Sequence, residues 1–249
     1  MHEDTILGSD ETDIELDLDD LEGAKHAIRL DKVSRIYELD GHEIQAVQDV
    51  TMQVTPGEFV AISGPSGSGK TTLLNIIGCI DCASSGRVYV MDVPIGDYDE
   101  TFRATFRLTY TGFIFQSYNL ISTLTALENV MFPMQLSERK LRTIRSEASD
   151  LLKRVGLSER EEHLPWQLSS GEQQRVAIAR AMANNPPLIL ADEPTANLDA
   201  ESATMVRDLL TALNREGKTV VTMTHDERLL SLSDAHRYEM KNGVLRPHE

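Results

Sequence analysis

The chain has 249 residues, 41% of them hydrophobic and 26% charged, which suits one large α/β domain or two small ones and supplies a core that needs no metal or disulfide staples. Its formal charge of −16 argues against direct binding to nucleic acid, because a phosphate backbone is repelled where no basic face exists. No apolar stretch approaches the roughly 20 residues that cross a bilayer, and the N-terminus lacks the basic region of a signal peptide, so the expectation is a chain that stays in the cytoplasm.

Residues 1–22 hold ten acids and no Lys or Arg, leaving −6 on the remainder. Such a run reads as a solvated, disordered tail, and Ile14, Leu16, Leu18 and Leu21 leave room for a short partner-binding element. Ile28 to Leu39 and Glu43 to Val54 then read as two strands around an Asp40-Gly41 turn. Pro56-Gly57 closes a turn into the apolar strand Phe59 to Ile62.

That strand leads into Gly64-Pro65-Ser66-Gly67-Ser68-Gly69-Lys70-Thr71, with the helical Thr72 to Ile77 behind it. The string fits the phosphate loop G-x-x-x-x-G-K-[ST] in the context that loop requires. Its glycines let backbone N–H groups curl inward around a phosphate chain, and the helix N-terminus adds partial positive charge. Lys70 is the point charge for the β- and γ-phosphates, and Thr71 offers a hydroxyl to Mg²⁺. Cys79 and Cys82 form a C-x-x-C, but no second pair or His cluster completes a zinc set, so two reduced cysteines beside this helix are expected.

Gly86 to Met91 and Gly112 to Phe115 are the next strands, giving antiparallel-looking β material around the first nucleotide half. From about Leu124 to Glu161 the periodicity is helical, with Leu141, Ile144, Ala148, Leu151, Leu152 and Val155 on one face. A helix from Gly171 to about Asn184 is stopped by Pro186-Pro187. The strand Leu188 to Asp192 ends in two carboxylates, which is how a buried parallel strand delivers charge to the carboxyl edge of a sheet. Asp192 is placed to hold Mg²⁺; Glu193 points the other way and is a candidate general base for the attacking water. A helix from about Asp199 to Asn214, a strand Thr219 to Thr224, a short helix after Asp226 and a β-pair around Tyr238 to Leu245 complete the chain. Strands alternating with helices imply a parallel sheet with covered faces.

Between the two nucleotide halves, Leu168-Ser169-Ser170-Gly171-Glu172-Gln173-Gln174-Arg175 opens a helix, and here the chain resembles an ATP-binding-cassette (ABC) ATPase, whose signature has the form L-S-G-G-[EQ]-Q. Ser170 departs from it where the first glycine usually stands, at little cost unless the backbone there needs positive φ. The resemblance implies an α/β P-loop fold with a mainly parallel RecA-like sheet, an antiparallel β subdomain and a helical signature subdomain at about 117–184 within a nucleotide-binding domain 28–249, preceded by the tail 1–27. It implies ATP and Mg²⁺ as ligands, with Ser169, Ser170, Gly171 and Glu172 meeting a nucleotide held by the other subunit of a homodimer.

It further implies that Tyr37 stacks on adenine, for which a core tyrosine is the competing reading, and that Gln116 reaches Mg²⁺ and the water. Asn197-Leu198-Asp199 matches the loop that crosses to the opposite subunit, and His225 the switch histidine at a strand end. Together the candidate ATP-binding residues are Tyr37, Gly64 to Thr72 and Ser169 to Glu172; the catalytic ones are Glu193, His225 and Gln116; the metal-holding ones are Thr71, Gln116 and Asp192. Asn75 to Asp81, Leu124 to Val130 and Gln167 to Ala181 resemble the branch that powers lipoprotein release, macrolide efflux and the cell-division ABC complex, which implies a separate integral membrane permease partner. Leu120, Leu124 and Phe132 line either a groove for a permease helix or the core. A solute-importer subunit and a soluble ABC ATPase acting without a permease are the alternative readings, and the acidic charge and single cassette weigh against the latter.

Overall fold

The computed structural model describes residues 23–137, 140–232 and 235–248, so the ten-acid run lies outside the described residues. Two sheets flank one helix. Strands β1 (Ile28–Leu39), β2 (His42–Val54), β4 (Ser85–Val90) and β5 (Val93–Pro94) form an antiparallel sheet in the order β2-β1-β4-β5. Strands β3 (Phe59–Ser63), β6 (Thr111–Ile114), β7 (Leu188–Asp192), β8 (Thr219–Met223), β9 (Ala235–Lys241) and β10 (Val244–Pro247) form the second, ordered β10-β9-β3-β8-β7-β6. In it β9, β3, β8, β7 and β6 run parallel, and only β10 is antiparallel, on β9.

Helix α1 (Lys70–Ile77) lies between the sheets, touching β2 and β4 on one side and β7 and β8 on the other. Its Leu73, Leu74, Ile76 and Ile77 are buried in one apolar cluster with Val33, Val50, Val88, Leu190 and Val221. Burying such side chains stabilises by about 1.5–3 kcal/mol each, so the phosphate-loop helix is anchored on both faces.

Two expectations are corrected here. Gly112 to Phe115 does not belong with the antiparallel strands: β6 pairs parallel with β7, Phe113 opposite Leu190, at the edge of the second sheet. The helical run from Leu124 to Glu161 is two helices, α3 (Ala126–Gln135) and α4 (Leu141–Arg154). A capping box between Thr125 and Glu128 starts α3, and Gly156 at φ 75° follows the end of α4. Helix α5 (Ser170–Ala181) packs against α3 and α4 around Leu127, Val130, Ile144, Leu152 and Val176. Helices α6 (Ala200–Arg215) and α7 (Glu227–Leu230) complete the cover.

One helix escaped the sequence reading. Helix α2 (Glu100–Tyr110) starts on Asp99, whose side chain accepts from the Phe102 N–H at 2.8 Å. The rings of Tyr98, Phe102, Phe106 and Tyr110 meet in succession, the first two pairs stacked and the last tilted, with centroids 3.9, 6.2 and 4.7 Å apart. Aromatics every fourth residue are a helical signal.

Candidate active site

Parallel strands place their following loops at one edge, and a crevice at that edge is where open α/β sheets bind ligands. Here the ends of β3, β6, β7 and β8 deliver the phosphate loop, Gln116, Asp192 with Glu193, and His225 to a single cleft of about 710 Å³. The phosphate loop and Asp192 lie more than a hundred residues apart in sequence, and the sheet brings them together.

The phosphate loop is shaped by its glycines. Gly69 has φ 102°, and a Cβ there would sit 2.0 Å from the Ala46 carbonyl oxygen on β2, so both conformation and space exclude a side chain. Lys70 Nζ donates to the carbonyls of Gly64 at 2.5 Å and Pro65 at 3.1 Å, and lies 3.5 Å from His225 Nε2. Ser68 Oγ is buried and finds no hydrogen-bond partner among the described residues. An orphaned hydroxyl, a lysine held over the loop and a backbone shaped by glycines fit a phosphate chain.

Thr71 Oγ1 donates to Asp192 Oδ2 at 2.8 Å, and Gln116 lines the same cleft. These oxygens are the donor type that Mg²⁺ takes alongside substrate phosphates, so the residues present fit the ion.

Glu193 corrects the sequence reading. Strand alternation would send its side chain to the face opposite Asp192, yet both residues line the cleft. The cause is a left-handed backbone at Glu193, φ 46°, which turns the chain back as it leaves β7 while its N–H donates to the Met223 carbonyl at 2.8 Å. Such a conformation costs a non-glycine residue about 1–3 kcal/mol and clusters at functional sites. Glu193 Oε1 lies 3.2 Å from His225 Nε2, and its Oε2 accepts the His225 backbone N–H at 3.2 Å. Burial raises the carboxyl above its ordinary value, against the opposing pull of His225 and Lys70.

The other predicted residues divide between this cleft and its surroundings. Ser66, Gly67 and Thr72 line it; Tyr37 does not, and its hydroxyl donates to Asp81 at 2.6 Å. Ser169 caps α5, accepting from the Glu172 N–H at 3.2 Å, while Glu172 accepts from the Ser169 N–H at 2.8 Å. Burial opposes ionisation of Glu172, but those bonds and Arg160 at 2.9 Å outweigh it and hold the carboxyl low. Ser169, Ser170, Gly171 and Glu172 are absent from the lining of the cleft, as are Asn197, Leu198 and Asp199. Asp199 caps α6 through its side chain, and Asn197 is left-handed at φ 62°.

Ser170 occupies the first turn of α5 without positive φ, so the missing glycine costs the backbone nothing. Gly171 is the constrained one: a Cβ there would meet Ser202 Oγ of α6 at 2.2 Å. Sequence reasoning missed Ile44, Gln45 and Ala46 of β2 and Thr195, Ala196 and Asp226 as lining residues. No motif marks them, since only the fold brings β2 beside the loop. Cys79 is buried, its thiol pushed up to about 12, mainly by desolvation, and Cys82 is half-buried.

The family model described as ABC transporter matches residues 47–196. The chain belongs to the ABC transporter family. Within it the chain is an ATP-hydrolysing subunit, and its fold is that of the ABC cassette. An uncharacterised ABC transporter ATP-binding protein of Methanocaldococcus jannaschii is 48% identical over 202 residues, 81% of this chain and 90% of that protein. The lipoprotein-releasing system ATP-binding protein LolD of Bordetella pertussis is 42% identical over 222 residues, 89% of this chain and 96% of LolD. Among solved structures, the dimeric post-hydrolysis state of the cassette MJ0796 bound to ADP and Pi superposes with TM-score 0.84 at 42% identity, covering 89% of this chain and 97% of that one.

Proposed function

We propose that this chain binds Mg·ATP in the cleft, closes head-to-tail on a second copy around two nucleotides, hydrolyses them and thereby drives a separate permease of the lipoprotein-release or macrolide-efflux type. The observation that carries this reading is the separation within one chain: phosphate loop, carboxylates, Gln116 and His225 share a cleft that Ser169 and its helix do not line. A second copy supplies that helix. The N-terminus of that helix is a ready anion site, and the MJ0796 cassette is dimeric with ADP and Pi.

In that closed site Lys70 turns from the Gly64 and Pro65 carbonyls to the phosphates, and Glu193 accepts a proton from the attacking water. His225 orients the Glu193 carboxylate and faces the γ-phosphate, while Ser68 and Ser169 offer hydroxyls. Mg²⁺, held by Thr71 and Asp192 with Gln116 near, supplies charge neutralisation to the phosphates. Catalysis is positioning and electrostatics.

An apolar groove of about 660 Å³ lies beside β6, lined by Ile121, Phe132, Leu136, Phe113 and Phe115. Phe132 and Leu136 are 42% and 62% exposed, whereas Leu120 and Leu124 do not line the groove. We assign this groove to a permease helix, with the cassette on the cytoplasmic side of the membrane; no helix among the described residues is long and apolar enough to cross one. The domain plan that goes with it is a nucleotide-binding domain 28–249 with a helical subdomain at about 117–184, supported by the packing of α3, α4 and α5 on one another. Phosphate release by the purified chain, with Lys70→Ala as control, tests the ATPase reading. Stimulation of that release by a reconstituted permease with few spans and a large outer domain tests the partner; turnover unaffected by it would overturn the assignment.

A further inference from the structure

Asp81 follows α1 and takes no part in the phosphate chemistry, yet four donors converge on its carboxylate. Oδ2 accepts the Tyr37 hydroxyl at 2.6 Å and Arg35 Nε at 3.1 Å. Oδ1 accepts Arg35 Nη2 at 2.7 Å and the Cys82 N–H at 2.7 Å. The Arg35 guanidinium also lies over the Tyr37 ring, 4.5 Å from its centroid. Hydroxyl and ring are thus held by one linked pair, the hydroxyl by a charge-assisted bond to Asp81 and one ring face by the Arg35 cation that Asp81 also binds.

Tyr37 pairs directly with Ile44 across the β1–β2 ladder, and directly opposed residues project from the same face. Ile44 is 48% exposed and lines the nucleotide cleft. Tyr37 therefore stands on the cleft side of the sheet, one strand beyond the phosphate loop, at the end where an apolar Ile44 replaces the polar loop. A tyrosine that only filled core would not need a half-buried ion pair to hold its hydroxyl. A ring fixed in advance loses no rotamer freedom when a flat ligand lands on it.

We propose that Asp81, with Arg35 behind the ring, is a positioning residue that holds Tyr37 as a preformed platform for the purine base. Because Asp81 lies just beyond the C-terminal end of α1 and Lys70 begins that helix, the base end and the phosphate end of the site are tied to one rigid element. The inference rests on the reading of the cleft as an ATP site.

The test compares ATP with inorganic tripolyphosphate, which carries the phosphates and no base, as ligands of the full chain. Tyr37→Ala should weaken ATP about tenfold, or about 1.4 kcal/mol, and Asp81→Ala about fivefold by the same scale. Asp81→Asn, which keeps one acceptor and the side-chain shape, should fall between Asp81→Ala and wild type. Tripolyphosphate binding should be unchanged in all three. In the Tyr37→Ala background Asp81→Ala should cost nothing more, since a positioning residue acts only through what it positions. Asp81→Ala weakening tripolyphosphate as much as ATP, or adding its full effect to Tyr37→Ala, would overturn the inference in favour of a general role in anchoring α1. Unchanged ATP affinity in Asp81→Ala would overturn it too. A wild-type chain that binds neither ligand would instead overturn the ATP reading itself.

Discussion

Glu193, the proposed general base, concentrates the chemistry of the site in one side chain. A general base works only when ionised, and burial lifts this carboxyl above its ordinary value. The sign follows directly: activity should be full above the raised value and fall as pH drops through it, so the acid limb of the kcat/KM profile, which reports the free chain, should lie closer to neutrality than an ordinary carboxylate would put it. Weakening the burial shifts the limb back toward acid. Measuring kcat/KM for Mg·ATP against pH checks this, and a profile flat down to the ordinary carboxylate range would contradict it. The sequence named Glu193, Asp192, Lys70 and Thr71 because phosphate chemistry demands those residue types at those spacings. It misdirected the Glu193 side chain, because strand alternation stops at the left-handed φ that no residue type at that position signals.

At the scale of elements, the signature helix separates two roles that its sequence runs together. Ser170 has helical backbone with no positive φ, so Ser170→Gly should leave turnover unchanged or modestly raised, with stability lowered by about 0.5 kcal/mol or less from glycine's weaker helix propensity. Gly171→Ala instead drives a Cβ into Ser202 of α6 and should cost about 1–3 kcal/mol, the range of overpacked cores. Thermal melts of the two variants decide this; equal melting temperatures would contradict the packing assignment. Strands and helices were legible where apolar runs or prolines marked them, as at Leu188 to Asp192 and at Pro186-Pro187 after the signature helix. The edge strand β6 was misplaced because local pattern does not state which strand will pair with it, and α2 was missed although its aromatics recur every fourth residue. Phe132 illustrates the same limit on the groove: periodicity leaves it equally core or surface, and only the packed fold exposes it. Phe132→Asp should abolish stimulation of ATP turnover by the permease while basal turnover stays within about twofold, since surface changes away from packing seldom exceed ±0.5 kcal/mol.

The proposed closure makes the whole molecule half of each of two sites. Trp166, the chain's single tryptophan, is 72% exposed in the turn Pro165–Gln167 just ahead of Ser169. Head-to-tail closure should bury it, so its emission should shift to the blue when ATP is added and return after hydrolysis. The most direct measurement uses Glu193→Gln, which keeps the shape of the side chain and removes its proton acceptance. Turnover should fall by about 10²–10⁴-fold with ATP affinity largely kept. A ligand that binds the closed form best then holds it closed by mass action. Light scattering should therefore give the mass of one chain without nucleotide and of two chains at saturating Mg·ATP. A variant that binds ATP yet keeps the mass of one chain, even with its permease present, would contradict the composite site.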